Sequence, residues 1–409
     1  MNPKKYTREP FARERCNLCG ECFHRCPVLS LRPQEAAREM ERLLKGKSSR
    51  ILKVCTSCMA CNTFCPQDAR PANLILDLWH EIYRERGLPL YARYFLPHSR
   101  PNFRTDIVAR LPPEERLKLA GWSRTEPIQE FLYSGCNLLM VPYLTFSRLF
   151  QGIEIRGGLD YCCGEMLFRM GLYEEVEQVA ARLTLWFRRL KAEHVYVLCT
   201  ACFNMLKNVL PQFGADFSSI HFSHYFEFLL DGLKRENFGP VRPLRLKVTV
   251  QDSCHSRLLG EDFAEIPRKI LNLLGVEVTE APHNRESQLC CGIGGGFSPF
   301  AAYHPFSILA SARATSRDHR RVKAEATCVY CAGCLAMFSV ARLADPNLRP
   351  VIHLLELVQW AIGEKPSRRQ NSLALWLILG TVRHQFPLLL SRKRFHHPPI
   401  PEVPGNGGS

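Results

Sequence analysis

Nineteen cysteines in 409 residues define the chemistry open to this chain. Thiolates bind soft and borderline metals, and an odd number of cysteines, many in Cys-x-x-Cys pairs, suits metal binding better than a disulfide framework. Residues 16–27 read CNLCGECFHRCP and residues 55–66 read CTSCMACNTFCP. Both runs fit C-x2-C-x2-C-x3-C-P, the spacing of modules that bind two [4Fe–4S] clusters.

In such modules three closely spaced cysteines bind one cluster, and the fourth cysteine of the run reaches the other cluster. Zinc knuckles or redox Cys-x-x-Cys pairs are the alternative, but structural zinc needs four ligands and no more. We therefore predict two cubane [4Fe–4S] clusters. The ligands would be Cys16, Cys19, Cys22 and Cys65 for one cluster and Cys55, Cys58, Cys61 and Cys26 for the other.

Helices are expected to position these runs. The segment between them has apolar residues at helical spacing and ends at Gly46, and a second amphipathic segment follows Cys65 and closes near Gly87. His80 in that second helix is interpreted as a partly buried surface histidine. Residues 1–100 are thus predicted to form a mainly helical two-cluster ferredoxin-like domain.

Beyond a proline- and charge-rich connector at 101–130 with one short predicted helix, strand and helix patterns alternate. Apolar runs typical of buried strands are FLYSGCNLLMVPY, HVYVLC, LRLKVTVQDSC, VEVTEA and EATCVYC. Helical periodicity occupies the segments between them. The alternation predicts α/β units with mostly parallel sheets.

The remaining cysteines repeat one layout twice. The first copy is Cys136, then Cys162–Cys163–Gly164, then Cys199 and Cys202; the second is Cys254, then Cys290–Cys291–Gly292, then a Cys-x-x-Cys pair. Three residues compete for that last pair. The match of CTACFNML with CAGCLAMF favours Cys331 and Cys334, whereas the distance from the doublet favours Cys328 and Cys331.

Several of these cysteines follow predicted strands, Cys199 and Cys254 most clearly. Loops at the carboxyl edge of a parallel sheet converge on one crevice, so five thiolates from three loops are expected to meet in each copy. Two adjacent thiolates can then bind different iron atoms of one cluster. Glycines beyond the second doublet would let the backbone approach that cluster closely, and they are Gly292, Gly294, Gly295 and Gly296.

The paired five-cysteine CCG repeats resemble the B-type polypeptide of heterodisulfide reductase, and the two-cluster module resembles its C-type polypeptide. Their fusion is similar to the D-type polypeptide of that enzyme family, and to the iron–sulfur subunits of anaerobic glycerol-3-phosphate dehydrogenase and glycolate oxidase. The resemblance covers roughly residues 10–355. Departures are the short interval between Cys136 and Cys162 and the extra Cys328.

The resemblance implies an α+β multidomain fold, in which the helical ferredoxin module precedes two pseudo-twofold-related α/β CCG repeats. It also implies up to two non-cubane [4Fe–4S] clusters at which a disulfide is cleaved. The cofactor contacts would include Gly164, Gly292, Gly294, Gly295 and His255. The implied metal-binding and catalytic residues are Cys136, Cys162, Cys163, Cys199, Cys202, Cys254, Cys290, Cys291, Cys331 and Cys334.

Other uses of the same residues are disfavoured. The GIGGG segment lacks the Lys-Ser/Thr of a phosphate-binding loop and the full Gly-x-Gly-x-x-Gly pattern. Cys254 and His255 would point to opposite faces of a strand, which argues against a nucleophile–base pair. For His255 and Arg257 a supporting hydrogen bond near the cluster is preferred over substrate contact.

The net charge and the terminal segments restrict the expected partners and cellular compartment. The formal net charge of +15 suits nucleic acid or an anionic membrane, but it also offsets anionic thiolate-ligated clusters, and we expect no nucleic-acid partner. The polar, charged N-terminus lacks a secretory pattern, so a reducing cytoplasm is expected. The apolar run near residue 375 is too short to span a bilayer. It would lie in a membrane interface, pack on a partner subunit or dock on its own core.

We therefore expect CCG domains at 131–240 and 241–365 and a basic, apolar tail at 366–409. No flavin or nicotinamide fingerprint is visible, so the expected partner is a flavoprotein or dehydrogenase subunit. Electrons would pass between that partner and a disulfide or quinone, with peripheral contact to the inner face of the membrane as an option. A quinone-linked dehydrogenase subunit and a non-catalytic relay in a larger reductase are the alternatives.

Overall fold

The N-terminal part of the chain is helical. The computed structural model describes residues 9–47 and 50–401. The two cysteine runs fold alike: Leu18 and Ser57 have φ of 62° and 52°, and Gly20 and Met59 have φ of 75° and 63°. The elements are α1 (Glu21–His24), α2 (Pro33–Leu44), α3 (Arg50–Val54), α4 (Ala60–Thr63), α5 (Pro71–Arg86) and the short strand β1 (Leu88–Pro89).

Two helices, where the sequence predicts one, occupy the connector: α6 (Phe103–Ala109) and α7 (Pro113–Trp122). The Asn102 side chain accepts hydrogen bonds from the backbone of Arg104 and Thr105 and so caps α6. Pro113 stands at the first position of α7, where its missing N–H costs no helical hydrogen bond.

The first α/β repeat contains a four-stranded parallel sheet of order β3-β2-β4-β5. Strand β2 stops at Tyr133, earlier than predicted, because Gly135 turns with φ of 57° and short 3₁₀ helices follow. The elements are β2 (Glu130–Tyr133), β3 (Ile155–Arg156), α8 (Glu165–Phe168), α9 (Tyr173–Leu190), β4 (His194–Val197), α10 (Thr200–Asn204), β5 (His221–His224) and α11 (Tyr225–Lys234).

The second α/β repeat has the equivalent order β7-β6-β8-β9, again all parallel. In both repeats a buried histidine ends the fourth strand and caps the next helix, His224 before α11 and His353 before α15. The elements are β6 (Lys247–Gln251), α12 (Glu261–Leu273), β7 (Glu277–Val278), α13 (Pro305–Arg320), β8 (Ala326–Val329), α14 (Ala332–Ala344), β9 (Val351–His353) and α15 (Leu354–Ala361).

The C-terminal segment returns to the rest of the molecule. Helix α16 (Gln370–His384) packs on α14 and α6, and strand β10 (Arg394–Phe395) pairs antiparallel with β1. Within the described residues no helix is long and apolar enough to cross a membrane. The structure thus shows that one face of the apolar tail docks on the chain's own core, which was one of the three alternatives.

One continuous hydrophobic core joins the helical module to both repeats, and Trp79 and Trp186 are among its fully buried side chains. His80 is buried where the helical module meets the first repeat, with 5% of its area exposed. Its Nδ1 lies 2.8 Å from the carbonyl oxygen of Gly171, so the prediction of a surface histidine was wrong. Helix α5 therefore packs directly on the first repeat.

Candidate functional site

The ferredoxin-type cysteines form two groups that match the two predicted sets. Around Cys22 lie Cys65, Cys19 and Cys16, and burial together with these neighbours raises the pKa of Cys22 above its usual range. Around Cys61 lie the other predicted partners, and burial together with their charge also raises its pKa. These partners are Cys55, Cys58 and Cys26, and Cys22 of the first group is close as well.

The first group reaches solvent, because Cys19 is exposed and Cys16 half-buried. The second group lies deeper: a cavity there is lined by its thiols and by apolar side chains such as Phe23 and Ile75. Backbone amides also point at these sulfurs, with Ser57 N donating to Cys55 Sγ over 3.3 Å. The helical module therefore has an outer and an inner thiol cluster.

Cysteines of the first repeat approach one another as the layout predicts. Cys162 Sγ lies 3.2 Å from Cys136 Sγ. The second thiol of the doublet, Cys163, accepts hydrogen bonds from Cys162 and from Cys202, and these lower its pKa to about 7. Cys202 in turn contacts Cys199, so all five predicted cysteines are joined.

The second repeat reproduces this chain of contacts. Cys254 contacts Cys290, and Cys291 accepts hydrogen bonds from Cys290 and Cys334, which lower its pKa to about 6. Cys334 also contacts Cys331. The sequence left two pairs open here, and the structure brings Cys331 and Cys334 to the other three thiols.

Cys328 lies elsewhere. It is in strand β8, fully buried, and the charged groups nearest to it are Glu356, Arg268 and Asp252, with no cysteine among them. Burial raises the pKa of this thiol above its usual range. The structure therefore separates Cys328 from the residues that could hold a cluster.

The two repeats meet at their Cys-x-x-Cys pairs. The Cys331 thiol hydrogen-bonds with Cys199 of the first repeat, so the ten sulfurs form one unbroken series. Both residues are partly exposed, as is Cys254, whereas the other seven are buried. The junction between the repeats is thus a place where the polypeptide that carries these sulfurs reaches the surface.

The second repeat, and not the first, carries cysteines against the inner thiol cluster of the helical module. Arg257 Nη1 lies 3.7 Å from Cys58 Sγ, and Cys254 packs on Cys58 and Phe64. Gly294 N donates to Cys290 Sγ over 3.3 Å. A Cβ at Gly294 would lie 2.5 Å from the backbone oxygen of Thr56 and 2.8 Å from Cys290 Sγ, so only glycine allows this approach.

The other predicted glycines pack on helices. A Cβ at Gly292 would lie 2.6 Å from the Ala312 side chain, and one at Gly295 would lie 2.6 Å from the backbone of Ser307, both on α13. Gly164, with φ of 73°, starts α8 against Val179. These residues seat the doublet loops on their helices, and Gly294 alone faces a neighbouring thiol cluster.

Arg169 bridges the helical module and the second repeat, and no sequence motif predicted this role. Its guanidinium donates to Cys254 Sγ over 3.0 Å and to the backbone oxygen of Thr56 over 2.6 Å, and the side chain is 1% exposed. It also pairs with Glu165 over 3.1 Å. The i,i+4 spacing of this pair after the first doublet was the available signal.

Glu165 links Arg169 to His255, whose Nε2 lies 3.0 Å from the same carboxylate. Burial alone would raise the pKa of Glu165, but the hydrogen bond with His255 and the Arg169 charge lower it to about 2. His255 Nδ1 also lies 3.3 Å from Asn204 Nδ2. The predicted supporting hydrogen bond of His255 is therefore present, and it connects the two repeats.

Arg104 stands beside the first repeat's thiols as Arg169 stands beside the second's. It is 1% exposed and donates to Asn137 Oδ1 over 3.1 Å. The hydrogen bond with Cys162 and burial raise the pKa of Cys136, and the positive charge of Arg104 opposes them. Each repeat thus has one buried arginine close to its sulfurs. Buried cations next to thiolates favour a negatively charged centre.

The donor set fits iron–sulfur clusters. Burial and the charge of neighbouring thiols raise the pKa of Cys61, and bound iron would relieve both effects because it binds thiolates. Among residues 9–47 and 50–401, no three His, Cys, Asp or Glu side chains close around a single metal ion. In each α/β repeat, paired sulfurs and one buried arginine lie together instead.

Comparison with known proteins agrees with this arrangement. Residues 12–69 match the 4Fe-4S dicluster domain model, and residues 146–207 and 248–339 match the cysteine-rich CCG domain model. The D-type polypeptide of dihydromethanophenazine:CoB–CoM heterodisulfide reductase from Methanosarcina barkeri is 24% identical, over 85% of this chain and 93% of that protein. The EtfAB:quinone oxidoreductase of Syntrophomonas wolfei is 25% identical, over 59% of this chain and 36% of that protein.

Among solved structures, a hypothetical protein from Helicobacter pylori covers 82% of this chain and 78% of that chain, with a TM-score of 0.40 and 12% identity. This level of similarity carries no argument about function. Both of these relatives by sequence are named as oxidoreductases, and the domain matches contain every cysteine of the chain except Cys136. This chain belongs to the family of iron–sulfur oxidoreductases typified by the D-type polypeptide of heterodisulfide reductase, in which a 4Fe-4S dicluster domain precedes two cysteine-rich CCG domains.

Proposed function

We propose that this chain carries electrons from a partner flavoprotein or dehydrogenase to the junction of its two CCG repeats, where a disulfide or a quinone is reduced. The observation that carries this proposal is the continuous series of thiols from exposed Cys19 to Cys136. Clusters bound along it would supply one-electron steps. About sixteen iron atoms per molecule are expected for four [4Fe–4S] clusters.

Order along this route follows from the contacts. The outer thiol cluster at Cys16 and Cys19 faces solvent, which suits electron exchange with a partner. The inner cluster touches the second repeat through Arg257 and Gly294. The first repeat comes last, through the contact between Cys199 and Cys331. The partner would therefore dock on the helical module. The inner thiol cluster and the cysteines of the second repeat would lie between this docking site and the junction.

Buried cations support the transfer. Arg169 and Arg104 place a fixed positive charge next to each set of five cysteines, which stabilises added electrons without a proton. At the junction, two electrons and two protons would break one S–S bond and yield two thiols, or convert a quinone to a quinol. Both products need two electrons, and two neighbouring one-electron centres would deliver them as a pair.

A direct test uses the purified holoprotein without oxygen. The protein is reduced with dithionite, freed of excess reductant, and mixed with a small disulfide or with a short-chain quinone. We expect the visible absorbance of the oxidised clusters to return, with two thiols or one quinol formed for every two electrons lost. Cys328→Ala, which changes a cysteine outside the series, is the matched control and should behave like the wild type.

Failure with both acceptors would overturn the catalytic proposal and leave the relay alternative, in which the chain passes electrons only to another subunit. A colourless preparation would refute the cluster assignment itself and favour a zinc-loaded protein. Anaerobic co-purification identifies the partner, and recovery without any redox subunit would contradict the proposed electron entry.

A further inference from the structure

Helix α16 presents two contrasting faces. Its inner face is buried against α14 and α6, and includes Leu373, Leu377 and Gly380. A Cβ at Gly380 would lie 1.6 Å from the hydroxyl oxygen of Tyr94, so only glycine fits here, and any other face of the helix turned inward would bring a side chain against Tyr94. The rotation of the helix about its axis is thereby determined.

Polar contacts hold both ends of α16 in place. At its start, Arg369 pairs with Glu115 over 2.8 Å and Gln370 donates to the Glu356 carboxylate over 2.9 Å. At its end, His384 Nε2 lies 3.2 Å from Asp106 Oδ2, and Gln385 donates to the backbone oxygen of Tyr91 over 3.0 Å. The docked position is thus specified by hydrogen bonds and not by apolar contact alone.

The outer face of α16 is nevertheless apolar. Leu375, Leu379 and Val382 are 47%, 49% and 48% exposed, and the row continues past the helix with Phe386 at 42% and Leu390 at 96%. The spacing i, i+4 and i+7 places Leu375, Leu379 and Val382 on one face of α16, and Phe386 and Leu390 follow the helix in the chain. We call these five residues the outer stripe. Apolar side chains aligned in this way on a surface mark an interaction site.

An apolar groove borders the outer stripe. It lies between α13, α14 and α16, has a volume of about 230 Å³, and is lined almost entirely by apolar side chains. Phe306 of α13, which is 60% exposed, also lines it, with its ring centroid 6.3 Å from that of Phe386, and Met337 of α14 is another lining residue. The exposed apolar surface is therefore wider than one helix.

Positive charge flanks the stripe. Residues 365–401 contain seven Lys and Arg residues and no Asp or Glu. Arg383, Arg392 and Lys393 are exposed, and no carboxylate of the described residues forms an ion pair with them. Arg313 of α13 is likewise exposed near the groove. A protein partner selected by this surface would need acidic groups around an apolar centre.

We propose that the outer stripe and its basic flank dock on an anionic phospholipid surface, with α16 lying in the plane of the interface. An apolar helix face bordered by Lys and Arg has the composition of interfacial helices, which combine buried apolar area with attraction to anionic headgroups. The opposite face stays on the protein core, so binding requires no unfolding. This proposal does not depend on the function proposed above.

The test is vesicle flotation with the anaerobically purified holoprotein, using phosphatidylcholine vesicles with and without phosphatidylglycerol. We expect the protein to float with the anionic vesicles at least about tenfold more than with the neutral ones, and added salt to weaken this binding. The variant L375S/L379S/V382S should lose at least about tenfold of the binding. The variant R383Q/R392Q/K393Q should lose the preference for anionic lipid.

Leu185→Ser is the matched control, because Leu185 is 48% exposed on α9 and lies outside the stripe. It should bind as the wild type does. Cluster absorbance and EPR spectra, unchanged in all variants, show that each is folded. Wild-type protein that does not float with anionic vesicles, or a stripe variant that floats undiminished, would overturn the proposal. So would binding seen only when an integral membrane protein is present in the vesicles.

Discussion

Replacing Arg169 by glutamine removes a buried cation without a large change in volume, and it should make the cluster of the second repeat harder to reduce. The guanidinium donates to Cys254 Sγ over 3.0 Å and is 1% exposed. An added electron makes the cluster more negative and strengthens its attraction to this charge. Without Arg169 the reduced state therefore loses more stabilisation than the oxidised state, and the reduction potential falls.

The size of the effect follows from this one contact. A buried hydrogen bond to a charged group contributes about 1.5–3 kcal/mol. If the hydrogen bond contributed its full free energy to the reduced state only, Arg169→Gln would lower the potential of a one-electron couple by about 60–130 mV, at about 59 mV for each 1.4 kcal/mol. This is an upper limit, because part of the bond is already present in the oxidised state.

EPR-monitored redox titration of the anaerobic protein measures the change. One midpoint potential should fall in Arg169→Gln and recover most of the difference in Arg169→Lys, which keeps the charge. Arg104→Gln is the matched control, because Arg104 stands next to the thiols of the first repeat and should shift a different signal. If Arg169→Gln retains its iron and every midpoint potential stays at its wild-type value, the reasoning about this charge is refuted.

Three further predictions rest on the surroundings of single residues. Cys334→Ala should lose about four iron atoms per molecule, whereas Cys328→Ala should keep the full content; equal loss in both, measured by iron analysis, would contradict the placement of Cys328. Gly294→Ala should slow reduction of the CCG clusters by a reduced external donor while the ferredoxin signals persist, because its Cβ would lie 2.5 Å from the Thr56 oxygen; an unchanged stopped-flow rate would count against that contact. Burial lowers the pKa of His224 to about 3 from an ordinary 6.5. Below about pH 6.5 the unfolded chain therefore binds a proton at this residue that the native state does not bind. The free energy of unfolding then falls as the pH drops, by up to about 1.4 kcal/mol per pH unit. His224→Asn, which keeps a helix cap, should show a smaller drop in unfolding temperature between about pH 7 and 5 than the wild type; an equal drop would show that His224 does not contribute to it.

Short-range patterns determined a large part of this protein. The C-x2-C-x2-C-x3-C-P runs predicted which cysteine crosses to the other group, and the structure places Cys65 beside Cys22 and Cys26 beside Cys61. Helical periodicity located α2, α5, α9 and α14, and the doubled cysteine layout predicted two similar sheets. Such features depend on residues a few positions apart, so the chain order alone carries them.

Tertiary structure decided the rest. Cys328, Cys331 and Cys334 have equivalent chemistry, and only the end of β8 at Val329, set by pairing with β6 and β9, buries the first and leaves the others beyond the strand. The contacts of Arg169 with Thr56 and Cys254 join residues 113 and 85 positions apart. No local pattern encodes such a distance, because it arises from how the helical module packs on the repeats. For the same reason, only the fold places the inner thiol cluster of the helical module against the second repeat and not against the first.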